Sequence, residues 1–317
     1  MRGSPFTIVA GFVVLFLVST GAGYSVGARA SDDPTEVAAA TSTSTSTTST
    51  AVSTTSTAPV PTQPPTTPAP TTTTTEPGPR RPTADDPLRV VLAGDSVMAG
   101  LAPALKAALE TDGTSEVRFI LTPSILRDPT VRFTWNQQLE EFNPEIVVMF
   151  VGTWESEVLR TGTGAASEDP AWQGQYETNV LDPWLQLITS RGASVLWIGN
   201  PPVANDDANR AFAALNEAYA ALPSRWPAVT YLPAQAALNG PTPGFHAVIT
   251  DANGTWVRTR QSDGLHLCAD GAELLAERIV DELVSAFKAN EAPGWETGSW
   301  RGADVFPAAS CPAPNVP

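Results

Sequence analysis

The chain contains two histidines, and the residues around the second of them predict nucleophilic chemistry. In Asp263-Gly264-Leu265-His266 a carboxylate precedes the imidazole by three residues, so both side chains can face the same way within one turn. Asp263 could accept the Nδ1–H of His266 and fix its tautomer, which leaves Nε2 free to take a proton. His246 has no carboxylate at this spacing and is interpreted as a loop or partly buried histidine.

The nucleophile that such a base would serve is predicted to be Ser96. A serine hydroxyl is a weak nucleophile and needs a neighbouring base. Ser96 follows Gly94 and Asp95 directly after an apolar run. Either motif alone is weak, because turns use Gly, Asp and Ser in any case. Together they favour a hydrolase in which Ser96, His266 and Asp263 form a catalytic triad.

Strands and helices that alternate along the chain must position these residues. Apolar runs predict strands over 88–93, 116–121, 145–151, 193–198 and 229–232, and helical patterns cover 98–109, 135–142, 176–190, 208–221 and 270–288. In the last helix Asp270 is a plausible cap, with Glu273 three residues later. The alternation implies an α/β domain whose parallel sheet is covered by helices on both faces.

Ligands of such sheets bind at the carboxyl ends of the strands, and three of these ends carry polar or aromatic residues. The first is Gly94-Asp95-Ser96, the second is Gly152-Thr153-Trp154-Glu155, and the third is Gly199-Asn200. We therefore predict that Gly152, Trp154, Glu155 and Asn200 lie near Ser96 and contribute to substrate binding or to stabilising an oxyanion.

The charge and the cysteine content of the chain limit which partners and cofactors it is expected to bind. The formal net charge of −15 and the pI near 4.5 argue against a nucleic-acid partner. The two cysteines form no Cys-x-x-Cys or Cys-x-x-His pair, so neither a metal nor a cofactor is predicted. Outside the cytoplasm Cys268 and Cys311 should form a disulfide; a free buried thiol is the alternative.

The first quarter of the chain predicts export. Arg2 precedes an apolar run from Phe6 to Val18, and Ala28-Arg29-Ala30 has the form of a signal-peptidase site. Residues 1–30 are therefore a signal peptide or a retained membrane anchor, with the remainder outside the cytoplasm, either tethered at the cell surface or secreted. Residues 31–84, rich in Thr, Ser and Pro, are a predicted disordered linker. Residues 85–290 form the catalytic domain, and 291–317 form a C-terminal tail held by the disulfide.

Over about residues 87–288 the sequence resembles the SGNH (GDSL-like) hydrolase family. Gly94-Asp95-Ser96 matches the family's first block, whose serine is the nucleophile, and Asp263 and His266 match the last block. The resemblance implies a flavodoxin-like three-layer α/β/α sandwich that hydrolyses esters or transfers acyl groups without a metal.

The chain departs from this family where an oxyanion hole is usually built. Members usually have a glycine after the second strand, where this chain has Thr122-Pro123-Ser124-Ile125, and Gly-x-Asn-Asp in the third block, where it has Gly152-Thr153-Trp154-Glu155. The Ser96 N–H would remain as a donor, with an N–H of Ser124 or Ile125 as a candidate second donor. Loss of one such donor typically costs about a hundredfold or more in rate.

The Gly-x-Trp-Glu block resembles extracytoplasmic SGNH domains that are fused to membrane acyltransferases modifying surface sugars. Trp154 could then pack against a sugar or an acyl group, or simply pack at a strand end. Glu155 could pair with Arg258 or Arg260, or be a solvated surface carboxylate.

Three functions are compatible with this sequence. The first is a serine esterase acting on O-acyl groups of surface glycans, and the second is an acyltransferase that uses the same acyl-enzyme. The third is a non-catalytic module that binds a glycan or a partner, which the missing oxyanion donors favour and the complete triad opposes. The glycan substrate follows from the resemblance and the predicted location rather than from individual residues.

Overall fold

The computed structural model describes residues 80–110, 112–122, 126, 128–156, 171–239 and 242–314. Its central sheet consists of β1 (Leu88–Gly94), β2 (Ser115–Leu121), β3 (Ile146–Phe150), β4 (Ser194–Gly199) and β5 (Val229–Pro233). All neighbouring pairs are parallel, and the strand order is β2-β1-β3-β4-β5. This is the 2-1-3-4-5 order of flavodoxin-like folds, so the predicted fold class is confirmed.

Helices and short elements connect these strands. They are α1 (Ser96–Glu110), α2 (Pro129–Phe142), α3 (Trp172–Tyr176), a π-helical turn (Glu177–Leu181), α4 (Asp182–Thr189), α5 (Asp206–Arg225), α6 (Gln235–Leu238) and α7 (Ala269–Phe287), with an antiparallel hairpin of β6 (Val248–Thr250) and β7 (Trp256–Arg258). Helix α2 starts earlier than the predicted Trp135, because Oδ1 of Asp128 accepts the N–H of Thr130 at 2.8 Å and caps it.

Two hydrophobic layers cover the two faces of the sheet. Along β1 the side chains alternate: Val90 and Leu92 pack with α1 and α7, whereas Val91 and Ala93 pack with α2, α4 and α5. A sheet buried on both faces requires continuous apolar strands, which explains why β1 and β3 stand out so clearly in the sequence. The carboxyl ends of these strands are therefore rigidly held.

The cap predicted for the last helix is wrong. The N-cap of α7 is Cys268, which has an extended backbone and makes no side-chain capping bond. Asp270 lies inside the first turn, where it pairs with Arg301, and Glu273 pairs with the same guanidinium. A carboxylate in the first turn still favours the helix through its dipole, but it does not satisfy a terminal N–H as a cap does.

The residues after α7 are part of the folded domain. Trp295, Trp300 and Phe306 are buried in the layer formed by α1 and α7. The predicted disulfide is present between Cys268 and Cys311, whose Cα atoms are 5.7 Å apart. The bridge joins the start of α7 to the C-terminal tail.

The predicted export segment, residues 1–30, and most of the predicted linker, residues 31–84, lie outside the described residues. Within the described part of the chain, no helix has both the length and the apolar character that a membrane span needs.

Candidate active site

Ser96 is located at a sharp turn between β1 and α1. Gly94 ends the strand and Ser96 begins the helix. A Cβ on Gly94 would lie 2.1 Å from the carbonyl oxygen of Phe150 in the neighbouring strand, so this position requires glycine. The turn thereby places the Ser96 hydroxyl at the carboxyl edge of the sheet, between the ends of β2 and β3.

The structure brings Ser96, His266 and Asp263 into one hydrogen-bonded chain. Nε2 of His266 lies 2.8 Å from Oγ of Ser96, and Nδ1 lies 2.6 Å from Oδ2 of Asp263. With its proton on Nδ1, the imidazole donates to Asp263 and accepts from the serine hydroxyl. The hydrogen bond from His266, helped by backbone N–H groups, lowers the pKa of Asp263 to about 2 despite partial burial. Asp263 is therefore ionised at neutral pH.

Local hydrogen bonds and a close contact with Ala204 shape the loop that carries Asp263 and His266. Oδ1 of Asp263 accepts the N–H groups of Leu265 at 2.9 Å and His266 at 3.0 Å. Gly264 has a φ of 70°, and a Cβ there would lie 2.3 Å from the Cβ of Ala204. Ala204 in turn donates its N–H to the carbonyl of Gly264 at 3.1 Å. The glycine is needed both for its backbone angle and for this close contact.

Asp95 is a buried carboxylate that the sequence analysis did not assign. Its Oδ1 accepts the N–H of Val97 at 3.1 Å, and its Oδ2 accepts those of Gly152, Thr153 and Trp154 at 3.3, 2.9 and 3.4 Å. Burial raises the pKa of Asp95 above its ordinary value, against the lowering effect of these donors. The carboxylate ties the nucleophile turn to the loop after β3. The sequence feature that could have indicated this role is the position of Asp95 between Gly94, which ends the strand, and Ser96.

We expect Asp95→Asn to destabilise the protein by about 2 kcal/mol. The asparagine has one oxygen to accept the four backbone N–H groups, and its NH₂ group is a donor that cannot accept any of them. Chemical unfolding measures this loss. Asp128→Asn is the matched control: it also replaces a carboxylate that accepts a backbone N–H, but at an exposed helix cap where asparagine performs equally well. Equal stability of the two variants would contradict the role assigned to Asp95.

Gly152 and Asn200 contact each other beside this network. A Cβ on Gly152 would lie 1.9 Å from Oδ1 of Asn200, and Asn200 is only 4% exposed. The side chain of Asn216 makes two hydrogen bonds to the backbone of Asn200. Its Oδ1 accepts the N–H at 2.7 Å, and its Nδ2–H donates to the carbonyl at 2.8 Å. Both residues thus pack the loop after β3 against the loop after β4, and the prediction that they contribute to substrate binding or to an oxyanion hole stays a prediction.

Trp154 and Glu155 follow the end of β3, and their side chains differ in exposure. Trp154 is 43% exposed, whereas Glu155 is 1% exposed and accepts the hydroxyl of Tyr176 at 2.9 Å. Both expectations for Glu155 are therefore wrong. It is not a surface carboxylate, and it faces a tyrosine layer under the loop instead of Arg258 or Arg260.

The two arginines considered as its partners have other neighbours. Arg258 donates its Nε–H to the carbonyl of Pro312 at 2.6 Å. Arg260 is 1% exposed, and burial lowers its pKa to about 10 against the raising effect of the charge of Asp263. The buried guanidinium of Arg260 thus lies close enough to Asp263 for their charges to interact.

The remaining candidates are less informative. Ser124 and Ile125 lie outside the described residues. His246 has its Nε2 3.2 Å from the carbonyl of Pro243. No group of three or more His, Cys, Asp or Glu side chains is arranged to hold a metal in the described ranges.

Several solved structures resemble the fold. An acetylxylan esterase of Geobacillus stearothermophilus, solved as a catalytic mutant, is 13% identical over 62% of this chain and 94% of its own, with a TM-score of 0.42. A member of the lipolytic G-D-S-L family from Veillonella parvula is 12% identical over 61% of this chain and 97% of its own, with a TM-score of 0.41. Likenesses this distant do not specify a reaction, which has to follow from the residues of the site.

Comparison of sequences gives the family. No curated protein matches the chain. The family model described as "Protein of unknown function (DUF459)" matches residues 89–282, which include Ser96, Asp263 and His266. Because the match covers more than half of the sequence and contains the hydrogen-bonded Ser-His-Asp chain, this protein belongs to the DUF459 family.

Proposed function

We propose that this protein is an ester hydrolase in which Ser96 is the nucleophile, His266 the general base and Asp263 the residue that orients and stabilises the imidazole. The observation that supports this proposal is the continuous hydrogen-bonded chain from the Ser96 hydroxyl through His266 to Asp263. The other histidine, His246, lies against a loop carbonyl and makes no hydrogen bond to a serine among the described residues.

The reaction proceeds through an acyl-enzyme. Oγ of Ser96 attacks the carbonyl carbon of the ester while its proton moves to Nε2 of His266. The tetrahedral intermediate collapses, the bond to the alcohol breaks, and His266 returns the proton to the departing alkoxide. A water molecule activated by His266 then attacks the acyl group and releases the carboxylic acid. An alcohol in place of water would give acyl transfer, which uses the same residues.

The backbone N–H of Ser96 is the oxyanion donor that the described residues offer. It starts α1, where terminal N–H groups lack partners within the helix, and it has no acceptor among the described residues. The N–H groups of Gly152, Thr153 and Trp154 are not available, because they already donate to Asp95. The loop after β3 therefore supports the nucleophile turn instead of stabilising the oxyanion.

The substrate class that we propose is an O-acyl group on a surface glycan, outside the cytoplasm. The side chains of His266 and Asp263 are 30% and 46% exposed, so an ester carried on a large polymer can reach the triad. Trp154 presents an exposed ring at the same edge, which suits stacking on a sugar. The disulfide fits an oxidising compartment, in agreement with the predicted signal peptide or anchor.

A fluorophosphonate probe tests the hydrolase assignment directly. We expect the intact mass of the protein to increase by one adduct, located on Ser96, because only an activated serine reacts with this probe. Ser96→Ala should remove the adduct, whereas replacement of an exposed serine outside the site, Ser224→Ala, should leave it. Labelling at another serine, or none, would contradict the proposal.

A binding module is the second candidate, and one observation favours it. The turn after β3 directs three backbone amides at Asp95, so these amides provide no second oxyanion donor. Such a protein would bind an acylated glycan without turning it over. An unlabelled Ser96 together with retained glycan binding by calorimetry would favour this function over hydrolysis.

Trp154 is expected to select the substrate. Its exposed ring should contact the glycan part of an acylated oligosaccharide but hardly touch a p-nitrophenyl ester. We expect Trp154→Ala to lower kcat/KM about tenfold or more for the acylated glycan, consistent with about 1–3 kcal/mol for a stacked ring, and less than threefold for the small ester. Trp256→Ala, a similarly exposed tryptophan on the hairpin, is the control. Equal losses for both substrates would mean that Trp154 supports the site geometry instead.

A further inference from the structure

The loop that carries Asp263 and His266 is held from outside by a segment near the C-terminus. We call residues 305–312 the C-terminal clasp. Three hydrogen bonds and one covalent bond join the clasp to the residues on either side of the Asp263–His266 pair. These four contacts enclose the loop on both flanks.

Before Asp263 the clasp is held by hydrogen bonds. Ser262 donates its N–H to the carbonyl of Ser310 at 2.9 Å. Gln261 donates its Nε2–H to the carbonyl of Val305 at 2.9 Å, and Arg258 donates its Nε–H to the carbonyl of Pro312 at 2.6 Å. Ser262 directly precedes the carboxylate residue, so a shift of the clasp moves Asp263.

After His266 the clasp is held by the disulfide. Cys268 is two residues beyond the imidazole and is the N-cap of α7, so its backbone fixes where the loop enters the helix. Gln261 also donates to the carbonyl of Leu267 at 3.0 Å, which links both flanks through one side chain. The position of His266 is thus set from both directions.

The apolar packing of the clasp is concentrated at one residue, Phe306. Within the clasp only Phe306 is buried, and the other residues are exposed or half-buried. A cavity of about 220 Å³ remains between the clasp and the start of α7, lined by Arg258, Asp270, Arg301 and the disulfide among others. Apart from Phe306, whose ring packs against Trp300, the clasp is therefore held in place by these four contacts.

We infer that the C-terminal clasp is a positioning element of the active site, which holds Nε2 of His266 at hydrogen-bond distance from Ser96. The consequence for catalysis rests on the proposed function, whereas the hold on the loop does not. A displacement of about 1 Å of a catalytic group can cost about a hundredfold in rate, so a loosened loop should lower kcat while substrate binding changes little.

The test compares two variants of the whole chain, both of which are expected to be less stable than the wild type. The double variant Cys268→Ser/Cys311→Ser removes the covalent tie without leaving a free thiol. Leu283→Ala opens a cavity in α7, far along the helix from the loop, and serves as a control that destabilises the same layer. For both, the measurements are Tm, kcat and KM on p-nitrophenyl acetate, and amide hydrogen exchange.

In the double variant we expect the amides of Ser262, Leu265 and His266 to exchange at least about tenfold faster, while the amides of α1 exchange at the wild-type rate. We also expect kcat to fall by about tenfold or more at nearly constant KM. Leu283→Ala should lower Tm without either change. Unchanged exchange in the loop, or an equal kcat loss in Leu283→Ala, would overturn the inference. Hydrogen exchange needs no substrate, so it tests the hold on the loop independently of activity. If the wild type were inactive but the double variant still exchanged the loop amides faster, the proposed function would be rejected and the role of the clasp would stand.

Discussion

Replacing His266 with alanine is expected to abolish ester turnover, with a loss of about a thousandfold or more in kcat. The hydroxyl of Ser96 would lose the only acceptor that lies at hydrogen-bond distance from it in the described structure, Nε2 of His266 at 2.8 Å. Without a base the serine attacks as a neutral hydroxyl, which is a weak nucleophile. The measurement is kcat and KM on a p-nitrophenyl ester at neutral pH.

The chain provides a matched control for this substitution. His246→Ala removes the only other histidine, which is held against the carbonyl of Pro243 in a separate loop. It should keep most of the wild-type activity. If the two variants lost activity to the same degree while both remained folded, the base would have been misassigned.

The same substitution separates the candidate functions. A hydrolase and an acyltransferase share the acyl-enzyme, so both would lose the fluorophosphonate adduct on Ser96 in His266→Ala. A binding module would show no adduct in either protein, and its glycan affinity would hardly change. Turnover with an added alcohol acceptor then distinguishes transfer from hydrolysis.

Much of the fold was predictable from local sequence patterns. A parallel strand buried on both faces must be continuously apolar, so β1 and β3 are recognisable without any structural information. The hydrogen-bonded arrangement of Ser96, His266 and Asp263 was predictable because few residues compete for these positions: the chain has two histidines, and one of them has a carboxylate three residues before it.

Long-range partners of buried polar groups were not predictable in the same way. Glu155 looks like a surface carboxylate in the sequence, yet Tyr176 reaches it from a separate helix at 2.9 Å. Asp95 receives three N–H groups from a loop more than fifty residues away. Such pairings depend on how the layers assemble, and no local periodicity encodes them.

The support that the C-terminal residues give to the loop was only partly predictable. Two cysteines in a chain that is predicted to be exported predict a bridge, and the bridge is present. The hydrogen bonds from Ser262 and Gln261 involve backbone carbonyls of Ser310 and Val305, which every residue possesses. A contact of this kind leaves no signature in residue type, so only the structure reveals it.

Asp263→Asn is expected to lower kcat by about 10³–10⁴-fold while the fold is retained. The asparagine oxygen can still accept the N–H groups of Leu265 and His266, so the loop keeps its backbone bonds. Its amide, however, presents a donor to Nδ1 of His266. The imidazole then favours the tautomer with the proton on Nε2, which cannot accept the proton of Ser96. Asp251→Asn is the control, since Asp251 accepts two backbone N–H groups in the β6–β7 turn in the same manner.

The pH dependence of stability provides a second readout for this variant. The folded protein holds the pKa of Asp263 at about 2, below its ordinary value, mainly through the hydrogen bond from His266. A carboxyl group whose pKa is lowered by folding contributes stability above its unfolded pKa, and this contribution is lost as the pH falls towards the folded value. Between about pH 4 and pH 2 the wild type should therefore lose stability more steeply than Asp263→Asn, whose amide does not titrate. Parallel unfolding curves across this range, or a kcat within tenfold of the wild type, would show that Asp263 does not serve His266 as its charged partner.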